Sequence, residues 1–289
     1  MTDTLLSLGH GYTAQALAAL LRPADWQVIG TTRSAEKAAT LTQSGIAALV
    51  WPGDDLSAAL AKASHILISI APNDAGDPVL AQHSADIAAA APHLKWLGYL
   101  STTGVYGDHQ GGWVDEDTPL TPTTHRGRIR VLAEQQWQEM ARNHGLPVHI
   151  FRLAGIYGPG RGPFTKVKNG TAKRIIKEGQ YFSRIHVDDI ARVLAASIDH
   201  PNPGAIYNVA DNDPAPPEDV LAEAARLLNM PLPPEVAFED ADMTPLARSF
   251  YAESKRVRND RLKTDLGVTL QHPDYRAGLR ALLNASRQS

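Results

Sequence analysis

Thr4-Leu5-Leu6-Ser7-Leu8-Gly9-His10-Gly11-Tyr12-Thr13-Ala14 runs from a short apolar segment through two glycines into a helix-forming stretch, residues 13–21. This order reads as strand, tight turn and helix, the context in which a GxGxxA pattern points to a bound diphosphate. Gly9 permits the turn, Gly11 lets a pyrophosphate approach the backbone, and Ala14 lets helix and strand pack closely. The helix N-terminus then faces the anion. Gly9, His10, Gly11, Tyr12 and Thr13 are the expected contacts to it.

Outward from this turn the same alternation repeats. Residues 26–30, 46–50, 65–71, 96–101 and 148–153 read as strands, and 34–43, 56–63, 79–90 and 126–143 as helices, with Ser34 as an N-cap. Strands alternating with helices imply right-handed crossovers and a doubly wound parallel sheet of the Rossmann type, an α/β fold. After Leu153 the pattern loosens. Gly155, Gly158, Pro159, Gly160, Gly162 and Pro163 crowd a stretch that reads as irregular. Helices follow at 187–198, 218–228, 255–265 and 275–283, with a strand at 205–209. A chain of 289 residues holds about two units at roughly 150 residues each. The reading is a dinucleotide-binding unit over 1–153 and a smaller C-terminal substrate lobe over 154–289, with some segments returning to the sheet.

Composition excludes several classes. The 28 basic and 31 acidic side chains leave a net charge of −3, so no global field draws the chain to nucleic acid or anionic lipid. The absence of cysteine removes disulfides, thiolate nucleophiles and thiolate metal sites. Early Asp3, no early Lys or Arg, and the glycines of the turn argue against a signal peptide or spanning helix, and the expectation is a cytoplasmic protein. Among 11 histidines no pair has metal-site spacing with a carboxylate on one helix face, so no metal is expected. No GxSxG turn occurs, which sets a hydrolase aside.

The place about 20 residues beyond the glycines, where NAD-specific sites carry an acid, reads Gly30-Thr31-Thr32-Arg33-Ser34. Arg33 offers a guanidinium fork suited to a 2′-phosphate, and the Thr31 and Ser34 hydroxyls can add bonds. NADP is therefore favoured over NAD, by on the order of ten- to a hundredfold for one charge-assisted bond. Asp55 follows the third strand, where a carboxylate can accept from the adenine amino group or cap the next helix. Ala71-Pro72 ends the fourth strand, where small residues allow close approach.

These residues, with Tyr99-Leu100-Ser101-Thr102-Thr103-Gly104-Val105-Tyr106-Gly107 and Phe151-Arg152-Leu153-Ala154-Gly155-Ile156-Tyr157-Gly158-Pro159-Gly160, resemble the extended short-chain dehydrogenases of the NAD-dependent epimerase/dehydratase type. The resemblance covers nearly the whole chain, including Arg184-Ile185-His186-Val187-Asp188-Asp189. It implies that Thr102 is the catalytic hydroxyl and that Leu153, Ala154 and Ile156 lie near the nicotinamide. It also implies pairing of two copies, a homodimer.

One departure stands out. The family's catalytic helix bears Tyr and Lys four residues apart with an acid four further on. Taking Glu134 as that acid puts Arg130 and Arg126 where lysine and tyrosine should stand. Guanidinium stays protonated and cannot return a proton. Three possibilities remain open: Tyr106 or His125 supplies the proton; the substrate is acidic, held by Arg126 and Arg130 while Thr102 donates a hydrogen bond; or turnover is lost. Arg161 and Arg184 would join such an anion site if the later lobe closes over it, whereas Tyr157 and His186 read as core. The expected function is NAD(P)-dependent hydride transfer on a polar, nucleotide-linked or phosphorylated, carbonyl or alcohol compound, with Thr102, Tyr106, Arg126 and Arg130 as catalytic residues. The rival is a catalytically silent dinucleotide-binding regulator.

Overall fold

In the computed structural model, which describes residues 2–287, β1 (Thr4–Leu8) is buried along its whole length. Its apolar run suits a parallel strand covered by helices on both faces. The chain alternates through α1 (Tyr12–Leu21), β2 (Gln27–Thr32), α2 (Ala35–Gln43), β3 (Ala47–Val50), α3 (Ser57–Lys62), β4 (His65–Ile68) and α4 (Pro78–Ala90). It continues with β5 (Trp96–Thr102), the short β6 (Trp113–Val114), α5 (His125–His144) and β7 (Val148–Leu153). Then come β8 (Gly155–Tyr157), α6 (Phe164–Lys168), β9 (Arg174–Ile176), β10 (Arg184–His186), α7 (Val187–Asp199) and β11 (Ile206–Val209). The last elements are α8 (Pro217–Leu227), β12 (Glu235–Ala237), α9 (Pro245–Phe250), β13 (Arg256–Val257), α10 (Asp260–Leu266) and α11 (Tyr275–Ser286).

Seven strands form one sheet in the order β11-β7-β5-β4-β1-β2-β3, with every pairing parallel. This is the expected Rossmann-type arrangement. Strand order reverses at β1, between β2 and β4, so the loops on its two sides diverge and leave a crevice at the carboxyl ends. Side chains of β5 show how the sheet divides two cores: Trp96 and Leu100 join one apolar layer, Leu97 and Tyr99 the other. β11 pairs with β7, placing Asn208 opposite Arg152, and α7 packs on α1. A smaller cluster of Val167, Ala172, Ala224, Tyr275 and Leu279 holds the outer lobe. Among the described residues no helix is long and apolar enough to cross a membrane.

Two sequence expectations are corrected. Gly155–Tyr157 is not irregular but a strand, β8, paired parallel with β10 so that Ile156 faces Ile185. The partner lies far along the chain, so local glycine content does not report it. Residues 255–265 are not one helix, because Arg256 and Val257 extend to pair with Trp113 and Val114, and α10 begins only at Asp260.

Candidate active site

The carboxyl edge of the sheet opens on a cleft of about 1950 Å³, larger than the roughly 300–1,000 Å³ typical of a drug-sized ligand. At its floor is the glycine turn. Gly9 has φ 86°, and a Cβ there would stand 2.9 Å from Ile70 Cγ1, so both backbone and space require glycine. Its amide donates to Thr31 Oγ1 at 2.8 Å, and the His10 amide donates to the Thr31 carbonyl at 2.8 Å. Thr31 is buried and serves to fasten the turn to β2. The His10 ring packs on Gly30, where a Cβ would lie 2.7 Å from His10 Cγ; burial lowers its pKa to about 4, so it is neutral.

The N-terminus of α1 has no side-chain cap and no acid in its first turn. A Cβ built on Gly11 would find only the Gly9 carbonyl, at 3.9 Å. Uncapped helix amides beside open space are what an anionic diphosphate fits. Tyr12 and Thr13 line this part of the cleft, and the Tyr12 hydroxyl donates to the Pro159 carbonyl at 2.9 Å. Arg161 lies 5.9 Å over the Tyr12 ring, which puts its charge beside the glycine turn rather than in the substrate half where it was expected.

On the β2 side, Arg33 is exposed and lines the cleft, and among the described residues no carboxylate is within ion-pair distance of it. Lys37, four residues after Arg33 in the first turn of α2, lines the same wall; this second cation went unread in the sequence. Ser34 is occupied as the α2 cap, its hydroxyl accepting the Lys37 amide at 3.3 Å, and does not line the cleft. Asp55 is also out of place as an adenine ligand: its carboxylate accepts from the Ser57 amide at 2.9 Å and hydroxyl at 2.8 Å, closing a local turn, while Trp51 and Pro52 line that end. Ala71 borders the cleft, and Pro72 is buried outside its lining.

The opposite half gathers Thr102, Arg126, Arg130, Leu153, Ala154 and Ile156. Thr102 Oγ1 accepts the Gly104 amide at 3.2 Å, which leaves its hydroxyl proton to donate. Gly127 explains how α5 comes so near, since a Cβ there would stand 2.7 Å from the Gly104 carbonyl. Arg130 Nη1 donates to the Leu100 carbonyl at 2.7 Å and Tyr99 hydroxyl at 3.1 Å. Arg126 is exposed, its guanidinium 5.5 Å from the Phe250 ring. Arg184 borders the lobe side, but its Nη1 donates to the Phe182 and Ala215 carbonyls at 2.8 and 3.0 Å. Burial holds its pKa below the usual arginine range.

Tyr106 does not reach the cleft, which corrects its assignment as proton donor. It is fully buried, its hydroxyl donating to Asn208 Oδ1 at 2.7 Å and accepting from Arg152 Nη1 at 3.0 Å. Burial pushes its pKa up to about 12. His125 sits outside the lining, exposed, with Nε2 2.8 Å from the Asp74 carboxylate. The cleft instead holds a cation missed in the sequence. Lys255 Nζ lies 2.8 Å from Glu253 Oε2 and donates to the Gly107 carbonyl at 2.6 Å. Glu253 Oε1 accepts from Thr123 Oγ1 at 2.8 Å, so the pair bridges the loop after β5 and the approach to α5. Tyr157 and His186 meet edge to face at 5.1 Å, and His186 Nδ1 accepts the Asp188 amide at 3.2 Å, capping α7.

Comparison with known proteins agrees with this fold. The NAD dependent epimerase/dehydratase family matches residues 8–210. The protein YeeZ of Escherichia coli K12 is 30% identical over 281 residues, covering 92% of this chain and 95% of its own. A solved structure of a functionally unknown conserved protein from Silicibacter pomeroyi superposes with TM-score 0.94 at 59% identity, covering 98% of this chain and 99% of that one. UDP-glucuronic acid 4-epimerase from Bacillus cereus, solved in complex with NAD, has the same fold: TM-score 0.76 at 17% identity, 99% of both chains covered.

Proposed function

The chain belongs to the NAD dependent epimerase/dehydratase family, and from that premise we propose an oxidoreductase that binds a nicotinamide dinucleotide, NADP in preference to NAD. Its substrate is a polar carbonyl or alcohol compound carrying a phosphate or carboxylate. The observation that carries this reading is a single cleft holding both the uncapped glycine turn and the group Thr102, Arg126 and Arg130.

Tyr12 and Thr13 would meet the diphosphate through the uncapped amides that open α1, with Gly9, His10 and Gly11, whose own amides are bonded within the turn and to Thr31, shaping the cradle and Arg161 beside them. Arg33 and Lys37 would take the 2′-phosphate. Leu153, Ala154 and Ile156 would border the nicotinamide. When bound, the dinucleotide supplies a hydride acceptor or donor. Thr102 would donate a hydrogen bond to the reacting oxygen, and Arg126 would hold the substrate anion. Arg130, fixed on the Leu100 carbonyl, adds positive charge to that wall. Since guanidinium groups cannot carry the proton, Lys255 is the group in the cleft suited to deliver it, with Glu253 positioned 2.8 Å away to orient the ammonium.

The test is titration with NADPH and NADH, followed by a screen of carbonyl compounds with and without an anionic group for coenzyme oxidation. Expected are tighter NADPH binding, and turnover of anionic substrates that falls in Arg126→Ala and is abolished in Lys255→Met. Equal turnover of neutral and anionic compounds would overturn the substrate assignment. The second reading is a dinucleotide-binding regulator without turnover. It is favoured by two guanidinium groups at the positions corresponding to the family's Tyr and Lys, and by the burial of Tyr106. Saturable NADPH binding with no oxidation across the panel would support it.

A further inference from the structure

At the start of α7, two imidazoles from distant parts of the chain face each other. His186, the last residue of β10, and His272, just before α11, lie 4.0 Å apart between ring centroids with planes at 49°. They are 2% and 4% exposed, and Nε2 of each is buried with no hydrogen-bond partner among the described residues. Buried polar atoms are rarely left so, and His272 Nε2, orphaned within 3.9 Å of the Asp188 carboxylate, points to an atom that belongs between them. Asp188 closes the third side. Its Oδ2 is 3.5 Å from His186 Nδ1 and 3.9 Å from His272 Nε2, and one donor atom from each of the three residues lies within 4.8 Å of the other two.

We propose that His186, Asp188 and His272 form a binding site for a divalent transition metal of the zinc class. Two neutral imidazoles and one carboxylate suit such a borderline ion, whereas calcium and magnesium prefer oxygen ligands. Tetrahedral donors at zinc–nitrogen bond lengths stand about 3.4 Å apart, so small side-chain rotations separate the observed arrangement from a coordinated one. On loading, His186 Nδ1 exchanges its long bond to the Asp188 amide for the metal. Burial already keeps His186 neutral, its pKa lowered to about 4, as a ligand must be. Outer contacts hold the donors in place: the neighbouring Asp189 carboxylate accepts the Gln271 and His272 amides at 2.6 and 2.9 Å. Asp188 is half exposed, which gives the ion a path in and water a fourth position. The ion would rivet the segment before α11 to α7.

The experiment uses the full chain, untagged and stripped with chelator, titrated with Co²⁺ and then Zn²⁺. Expected is one Co²⁺ per chain with visible ligand-field bands, displacement by Zn²⁺ but not Mg²⁺, and a rise in Tm with Zn²⁺. His272→Gln and Asp188→Asn should each weaken binding by about tenfold or more; the half-exposed Asp188→Asn keeps the test valid if the buried variant folds poorly. Absence of the bands in the wild type, or equal affinity in wild type and Asp188→Asn, overturns the site. NADPH titration of the metal-free chain is a separate readout, so neither result decides the other.

Discussion

Tyr106 and Arg152 meet at 3.0 Å, a guanidinium nitrogen donating to the phenolic oxygen in a space closed to solvent. The hydroxyl itself donates to Asn208 Oδ1 at 2.7 Å, so the turn after β5 is tied to β7 and β11 through one oxygen. Tyr106→Phe leaves an Arg152 N–H and the Asn208 oxygen unpaired, at about 1–3 kcal/mol. Tm should fall while NADPH affinity stays unchanged. A variant of unaltered Tm that loses turnover would return Tyr106 to the chemistry.

Glu134 stands behind this arrangement, accepting from Arg152 Nη2 at 2.8 Å and from Ser101 Oγ at 2.5 Å. Both charges are buried, at 2% and 3% exposure. Removing one partner strands the other, so Glu134→Leu should destabilise by about 3–5 kcal/mol. Denaturant unfolding measures this; a loss below about 1 kcal/mol, the scale of an exposed ion pair, would contradict it.

Among the described residues Arg33 has no carboxylate partner, and it lines the cleft. Arg33→Ala should weaken NADPH binding about ten- to a hundredfold, the scale of one charge-assisted bond, and leave NADH nearly unaffected. Lys37→Ala should act in the same direction. Equal affinities for the two coenzymes before and after the change would remove Arg33 from the 2′-phosphate site.

How much of this was legible depended on how local each signal was. The turn at Gly9 and Gly11, the Ser34 cap and the Thr102 position rest on neighbours within a few residues, and sequence order displays them. The direction in which Tyr106 points is set by Asn208 and Arg152, on strands far along the chain, and no motif carries that. β8 likewise exists because β10 pairs with it. Lys255 was hidden because its segment reads as helical until β6 draws it out straight. Lys37 was different: four residues after Arg33 on a helix, it was within reach of the sequence.

His149 supplies a pH dependence whose sign can be worked out. It is fully buried in β7, its Nε2 accepting the Asn202 amide at 2.9 Å, and burial lowers its pKa to about 4. Unfolded, it titrates near 6.5. Between these values the unfolded chain binds the extra proton, so the contribution is complete above about pH 6.5 and is lost as pH falls toward about 4. Unfolding free energies of wild type and His149→Gln, compared across this window, should differ in slope by up to about 1.4 kcal/mol per pH unit. Parallel profiles would contradict the assignment.

The dinucleotide is expected at the uncapped main-chain amides that open α1, directly after the glycine turn. Gly11 tests this most directly, because it lines the cleft and a Cβ there would have the Gly9 carbonyl, at 3.9 Å, as its nearest contact beyond its chain neighbours. Calorimetric titration with NADPH should show one saturable site per wild-type chain and none in Gly11→Glu, whose carboxylate fills the cradle while Tm is retained. Undiminished binding in Gly11→Glu, or no heat from either NADPH or NADH in the wild type, would contradict the account.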